Sequence, residues 1–277
     1  MLPDFIIIGT QKGGTTSLHF YLGQHPEIAV SWPKELNFFI EEHNWHRGRA
    51  WYGSHFNRKA RVRGEASPNY TAYPCFTGAA ERMHEVVPQA KLIYVLRDPI
   101  ERLISNYVHV VSEGREQRPA AQVLLQAEPN GYMSRSRYAS QLEQYLRYYP
   151  MERILILSSE ELYANRQVAL RNTFRFLGVN ADYDSIRFRA THNRSKNMRS
   201  RTPLGRRLFL LAKRLPLHLA GHDLGSHIGY ALSFPFSRAI PRPTLAPEVR
   251  ADLADRLADD LARLRSLTGR RFSEWSC

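Results

Sequence analysis

Asp4-Phe5-Ile6-Ile7-Ile8-Gly9-Thr10-Gln11-Lys12-Gly13-Gly14-Thr15-Thr16-Ser17 is the stretch on which the fold turns. A continuous β-branched run that ends in glycine reads as a strand buried on both faces, the pattern of a parallel sheet. A glycine-containing loop follows, and Ser17 to Leu22 continues as a helix with Leu18, Tyr21 and Leu22 on one face. A glycine loop between such a strand and a helix points backbone N–H groups at an anion, and the helix dipole adds to the attraction. Lys12 supplies a mobile cation, Gly13 and Gly14 supply N–H groups, and Thr15, Thr16 and Ser17 supply hydroxyls. The plain alternative is a tight turn with a solvated lysine, but the strand before and the hydroxyls after favour phosphate binding. The loop departs from Gly-x-x-x-x-Gly-Lys-Ser/Thr, in which lysine follows the last glycine beside a magnesium-binding hydroxyl. Here Lys12 precedes the glycines, and the later strand end Leu157-Ser158-Ser159 offers no acidic magnesium ligand. The loop therefore reads as a site for a phosphate-like anion held without metal.

The same pattern recurs outward from this point. Lys91 to Leu96 is a second strand, running into Arg97-Asp98-Pro99 and a helix that carries Leu103, Ile104, Tyr107 and Val111. Arg153 to Leu157 is a third strand, Gln167 to Leu177 a helix closed by Gly178, and Arg61 to Glu65 a further short strand. Strands alternating with helices predict βαβ units and a parallel sheet covered on both faces. Ligands of such sheets lie at the carboxyl ends of the strands, so the residues after Ile8 and after Leu96 share one crevice. Arg97 stands at such an end, and Ser105 lies in the second turn of a helix beginning near Pro99. A guanidinium fork and a hydroxyl suit a second phosphate. A last amphipathic helix, roughly Pro247 to Leu267, packs Leu253, Leu257, Leu261 and Leu264. The predicted architecture is α/β, a single domain over 1–277 with a central parallel sheet flanked by helices and a P-loop-like loop after the first strand. A basic insertion over roughly 190–245 is expected to cover the site.

With 277 residues, 43% of them hydrophobic, the chain is long enough for a substantial core. Cys75 and Cys277 cannot form a disulfide framework. No apolar run approaches the ~20 residues of a membrane span, and Met1-Leu2-Pro3-Asp4 lacks the basic start of a signal peptide. A cytoplasmic protein is expected. The 39 Lys+Arg against 26 Asp+Glu leave a formal charge of +13, which calls for an anionic partner. From Ile186 to His222 there is no acid but ten cations, among them Arg194, Lys196, Arg206 and Arg207. That stretch is either a solvated face or an anion-binding one. Leu208, Phe209, Leu210, Leu211 and Leu215 within it suit peripheral contact with an anionic membrane. The 11 histidines show no ligand-like spacing, so no metal is expected. Trp32, Phe38, Phe39, Trp45, Trp51 and Tyr52 read as core or as the floor of a sugar cleft.

Taken together, Lys12-Gly13-Gly14-Thr15 and Arg97-Asp98-Pro99-Ile100-Glu101-Arg102-Leu103-Ile104-Ser105-Asn106-Tyr107 resemble the sulfotransferases that use 3′-phosphoadenosine 5′-phosphosulfate (PAPS). The Lys-Gly-Gly-Thr form is most similar to the branch of heparan sulfate sulfotransferases and bacterial relatives. Glu35-Leu36-Asn37-Phe38-Phe39, Ser136 to Leu142 and Phe176 to Val179 extend the resemblance. It implies that the Lys12–Ser17 loop holds the 5′-phosphosulfate and that Arg97 and Ser105 hold the 3′-phosphate. Lys12 would neutralise charge on the leaving phosphate. Glu35 matches the acidic residue of the Glu-x-x-Phe-Phe segment, which implies a general base, desolvated beside aromatics. The implied reaction is sulfuryl transfer to a hydroxyl or amine of a carbohydrate, glycolipid or natural product. One departure stands out: Glu65-Ala66-Ser67-Pro68 has alanine where relatives acting on heparan sulfate commonly carry lysine. The late basic residues Lys196, Arg199 and Arg201, or Arg238 and Arg242, are candidates to cover the donor. Two other readings compete. A nucleic-acid-binding protein would use the charge but leave Glu35 and the paired anion motifs without a role. A P-loop kinase would need the magnesium ligands that are missing.

Overall fold

The computed structural model describes residues 1–56, 59–126, 131–189, 198–213, 218–219 and 222–277. The chain divides into two compact units. One is built from Met1–Leu103, Leu124–Asn193 and Ala246–Cys277, the other from Ile104–Val123 and Arg194–Leu245.

The chain begins β1 (Phe5–Gly9), α1 (Thr15–Leu22), β2 (Ile28–Val30), α2 (Gly48–Ser54), β3 (Val62–Ala66), α3 (Ala79–Val86) and β4 (Lys91–Leu96). It continues with α4 (Pro99–Ser112), α5 (Ala120–Leu125), α6 (Tyr138–Leu146), β5 (Ile154–Ser158), α7 (Ser159–Ala164) and α8 (Arg166–Leu177). Then come β6 (Arg199–Arg201), α9 (Pro203–Lys213), β7 (His218–Leu219), β8 (His222–Asp223), α10 (Leu224–Ser233), β9 (Ser237–Ala239) and α11 (Pro247–Thr268).

In the first unit, five strands form one parallel sheet in the order β2-β3-β1-β4-β5. Its centre is the strand that opens the sequence, and Phe5 to Ile8 are fully buried because helices cover both faces. Leu18, Tyr21 and Leu22 of α1 and Phe174 and Leu177 of α8 join Phe5 and Ile7 in one cluster, as the helical spacing requires. The leucines predicted to pack on the last helix, Leu253, Leu257, Leu261 and Leu264, are likewise buried. Strand β1 lies between β3 and β4, so the chain runs to one side of it through β2 and β3 and to the other through β4 and β5. An open α/β sheet binds its ligand at such a reversal, outside the carboxyl ends of the strands. The loops leaving β1 and β4 are therefore neighbours, as expected. The short strand predicted at Arg61 to Glu65 is β3, paired with β1 through Ile6↔Glu65 and Ile7↔Ala66.

In the second unit, β6 pairs antiparallel with β9, and α9 meets α10 where the Phe209 and Tyr230 rings lie 5.1 Å apart. Residues 190–197 of the expected basic insertion, Arg194 and Lys196 included, lie outside the described residues. Among the described residues, no helix is long and apolar enough to cross a membrane. Both cysteines are free.

Candidate active site

Strand β1 ends at Gly9, and Thr10 N–H donates to the Val95 carbonyl of β4 at 2.7 Å, which draws the loop across the neighbouring strand. Gly13 is required there: a Cβ on it would stand 2.6 Å from the Val95 carbonyl oxygen. Gly14, at φ 103°, caps α1 in a left-handed conformation that an L side chain resists. The first turn of α1 has no acidic residue, so no side chain there competes with an anion for its N–H groups and dipole. Thr15 and Ser17 are buried in that turn, and Ser17 Oγ lies 3.4 Å from the Tyr163 hydroxyl.

Arg97, at the carboxyl end of β4, donates from Nη1 to the Lys12 carbonyl at 3.3 Å. The two motifs, 85 residues apart in sequence, thus meet at the strand ends. The Tyr138 hydroxyl holds the Arg97 carbonyl at 2.8 Å. Asp98 starts α4: its Oδ1 accepts from Glu101 N–H at 2.9 Å. Ser105 is buried in the second turn of α4 and belongs to the second unit, whereas Arg97 belongs to the first.

The segment bearing Glu35 is fastened to the end of β3. Glu35 N–H donates to the Ala66 carbonyl at 3.0 Å, and Asn37 N–H to Ser67 Oγ at 3.0 Å. The expected desolvation of Glu35 is not found. Its side chain is 44% exposed and pairs with Lys34 at 2.5 Å, because the loop turns it outward from the aromatic cluster. The desolvated carboxylate is Glu65, which is fully buried. It accepts hydrogen bonds from the Tyr52 and Tyr70 hydroxyls, each at 2.8 Å, and from Ser67 at 2.6 Å. Burial pushes its carboxyl above the usual range, opposed by those three hydroxyls and by Lys34. The Tyr70 oxygen in turn accepts Phe38 N–H at 2.9 Å. Glu65 is thus a buried hub beneath the Glu35 loop. Phe38, Phe39 and Tyr52 surround it as core, with Phe38 stacked on Tyr52 at 4.3 Å, while Trp32 is 58% exposed at the start of the loop.

A hydrogen-bonded chain joins this segment to the glycine loop. Asn69 Nδ2 donates to Asn37 Oδ1 at 3.3 Å, Arg135 Nη1 to Asn69 Oδ1 at 2.9 Å, and Thr10 Oγ1 to the Arg135 carbonyl at 3.4 Å. Burial lowers the Arg135 guanidinium, while the Glu35 carboxylate acts in the opposite sense. Neither Arg135 nor Glu65 could be picked out by sequence, because no local pattern marks them. Arg102, in contrast, stands within the Arg97–Tyr107 motif, but its burial and partners are set by packing alone. Its fully buried side chain donates to Ser136 Oγ and to the Tyr132 carbonyl, each at 2.6 Å, and burial pushes it down to about 10. The described residues include four non-glycine residues at positive φ. Three of them, Lys12 at 71°, Glu35 at 66° and Asn37 at 47°, fall in these two loops. Backbone strain held in place by surrounding contacts concentrates where a site must be preformed. No group of three or more His, Cys, Asp or Glu suited to a metal ion occurs among the described residues.

A parallel sheet with a lysine–glycine loop on its central strand, met by an arginine from the next strand end, defines an open α/β protein with its candidate site at the strand ends. The sulfotransferase domain family matches residues 2–208, and the chain belongs to that family. It is 31% identical over 201 residues to the human bifunctional heparan sulfate N-deacetylase/N-sulfotransferase 2, covering 64% of this chain and 22% of that one. It is 29% identical over 281 residues to the mouse heparan sulfate glucosamine 3-O-sulfotransferase 3B1, covering 98% and 64%. This chain thus spans about a fifth of the former relative's length. Among solved structures, the sulfotransferase from Alicyclobacillus acidocaldarius matches over 100% of both chains, with a TM-score of 0.71 and 26% identity.

Proposed function

We propose that this chain passes the sulfuryl group of PAPS to a hydroxyl or amine of a glycan acceptor by in-line displacement. The observation that carries this reading is the meeting of the Lys12 loop with Arg97 at adjacent strand ends. That arrangement suits a ligand with two separated phosphate groups, and family membership supports PAPS as that ligand. The loop N–H groups and the Thr15, Thr16 and Ser17 hydroxyls would hold the 5′-phosphosulfate, and Arg97 the 3′-phosphate. The Glu35 carboxylate accepts the acceptor's proton as the new S–O or S–N bond forms. The bond from sulfur to the bridging oxygen breaks, and Lys12 neutralises the charge left on the departing phosphate. Arg135 and Asn69, bonded to one another, keep the Glu35 segment and the glycine loop in register. Trp32, exposed beside Lys34, offers a flat face for a sugar ring. The glycan acceptor rests on the heparan sulfate names of the relatives, and Ala66 argues for an acceptor other than heparan sulfate itself.

Calorimetric titration with 3′-phosphoadenosine 5′-phosphate tests the donor. The expected result is binding that requires the 3′-phosphate, ignores EDTA and weakens about tenfold or more in Arg97→Ala. Release of 3′-phosphoadenosine 5′-phosphate from PAPS, measured across a panel of glycan acceptors, should fall about 10²–10³-fold in Lys12→Ala. Binding of ATP that depends on magnesium would instead support a phosphotransferase, and no nucleotide binding at all would remove the proposal.

A further inference from the structure

The second unit has a surface that the proposed reaction leaves without a role. Of the fourteen exposed large hydrophobic residues among those described, seven fall in this smaller unit, on and just after α9 and α10. On α9, Leu204 and Leu211 stand two turns apart on one face, 52% and 61% exposed. Around α10, Tyr230, Leu232 and Phe234 are each at least half exposed. A helix normally turns such residues inward. Single exposed apolar side chains need no explanation, but a cluster of them marks an interaction surface.

The same unit is strongly basic. Between Met198 and Leu245 there are eight Lys and Arg and one acid, Asp223. Arg206 and Arg207 are exposed on α9 within one turn of Leu204 and Leu210. Other cations are laid on the rings: Arg199 is 4.3 Å from the Phe234 ring centre, and Arg201 is 4.7 Å from that of Tyr230. Leucine and aromatic side chains that protrude among arginines are the composition of a helix lying in a lipid interface. A polyanionic sugar would use the cations alone and gain nothing from exposed Leu211 or Phe234.

We infer that α9, α10 and the turn after α10 form a docking surface for an anionic lipid bilayer. Leu204, Leu211, Tyr230 and Phe234 enter the acyl boundary while Arg207, beside Leu204 and Leu211 on α9, meets the headgroups. Such a surface would hold the protein beside a membrane-borne acceptor.

Co-sedimentation of the whole chain with vesicles tests this, using phosphatidylcholine alone and phosphatidylcholine doped with phosphatidylserine. The doped vesicles should bind at least about tenfold better, and binding should weaken with salt. Leu211→Ser with Phe234→Ser should lose about tenfold or more while heparin affinity is unchanged, and Tyr230→Trp should give a blue-shifted emission on the doped vesicles. All replaced side chains are exposed, and circular dichroism checks that the variants are folded. Absence of binding to either vesicle overturns the inference. So does binding lost in Arg206→Ser with Arg207→Ser but unaffected by Leu211→Ser with Phe234→Ser, which would make the face a charge-only polyanion site.

Discussion

Glu65 shows what a single residue contributes here. Its carboxylate takes three hydroxyl donors in a fully buried site, and two of those hydroxyls in turn accept the N–H groups of Asn37 and Phe38. Buried polar groups are costly when unmatched and rigidifying when matched. The left-handed Glu35 backbone persists because this hub and Ala66 hold both ends of its loop. The pH dependence follows from the direction of the Glu65 shift. A carboxyl raised on folding adds stability that is complete below the ordinary carboxylate range and declines as pH rises through the folded value. Urea unfolding of the parent and of Glu65→Gln across pH should show the parent's relative stability falling as pH rises. A difference that does not change with pH would mean that burial does not govern this carboxyl. The general-base assignment of Glu35 came from the Glu-x-x-Phe-Phe pattern, whereas its exposure and its pairing with Lys34 did not, since they depend on how the loop turns.

Among the elements, α6 owes its start to a distant partner. It has no side-chain cap of its own at Arg137. Instead Asp260, from α11, accepts Ala139 N–H at 2.9 Å and Ser140 N–H at 3.0 Å, 121 and 120 residues away in sequence. The Ser140 hydroxyl adds a third bond at 2.7 Å. A carboxylate on the first-turn N–H groups satisfies their orphan donors and complements the dipole. Replacing Asp260 with alanine should therefore cost about 2 kcal/mol of unfolding free energy, with Asn recovering part of it. A loss within the usual surface range of about 0.5 kcal/mol would show that the cap contributes little. Strands β1, β4 and β5 and helices α1, α4, α8 and α11 were legible because each repeats its apolar residues at its own period for long enough. Strand β2 has three residues, and α2, α3 and α6 lack a comparable run between turn signals, so they were not.

For the whole molecule, acid should act through the helix that follows the glycine loop. His19, on α1, is pushed down to about 4 by burial and by Lys34. A histidine lowered on folding gives stability that is present above its ordinary value of 6.5 and is lost as pH falls towards 4. The full difference amounts to about 3 kcal/mol at most. Denaturant midpoints should therefore fall between those two values, and His19→Asn should flatten that fall. A slope unchanged by the substitution would assign acid sensitivity to other groups. Glu116, held down to about 2 by Arg118, titrates below this window.

The sequence by itself determined the parallel sheet, the lysine–glycine loop at Lys12 to Ser17 and the arginine at the next strand end. Each is written in adjacent residues, as side-chain period, β-branching and the glycine positions that a tight turn demands. Only the tertiary structure decided that Arg97 reaches the Lys12 carbonyl, that Glu65 rather than Glu35 is the desolvated carboxylate, and that Arg135 and Asn69 join the two loops. Those outcomes depend on which distant segments meet and on how much water remains between them. Burial and partnership are properties of the packed chain, and no local run of residues specifies them.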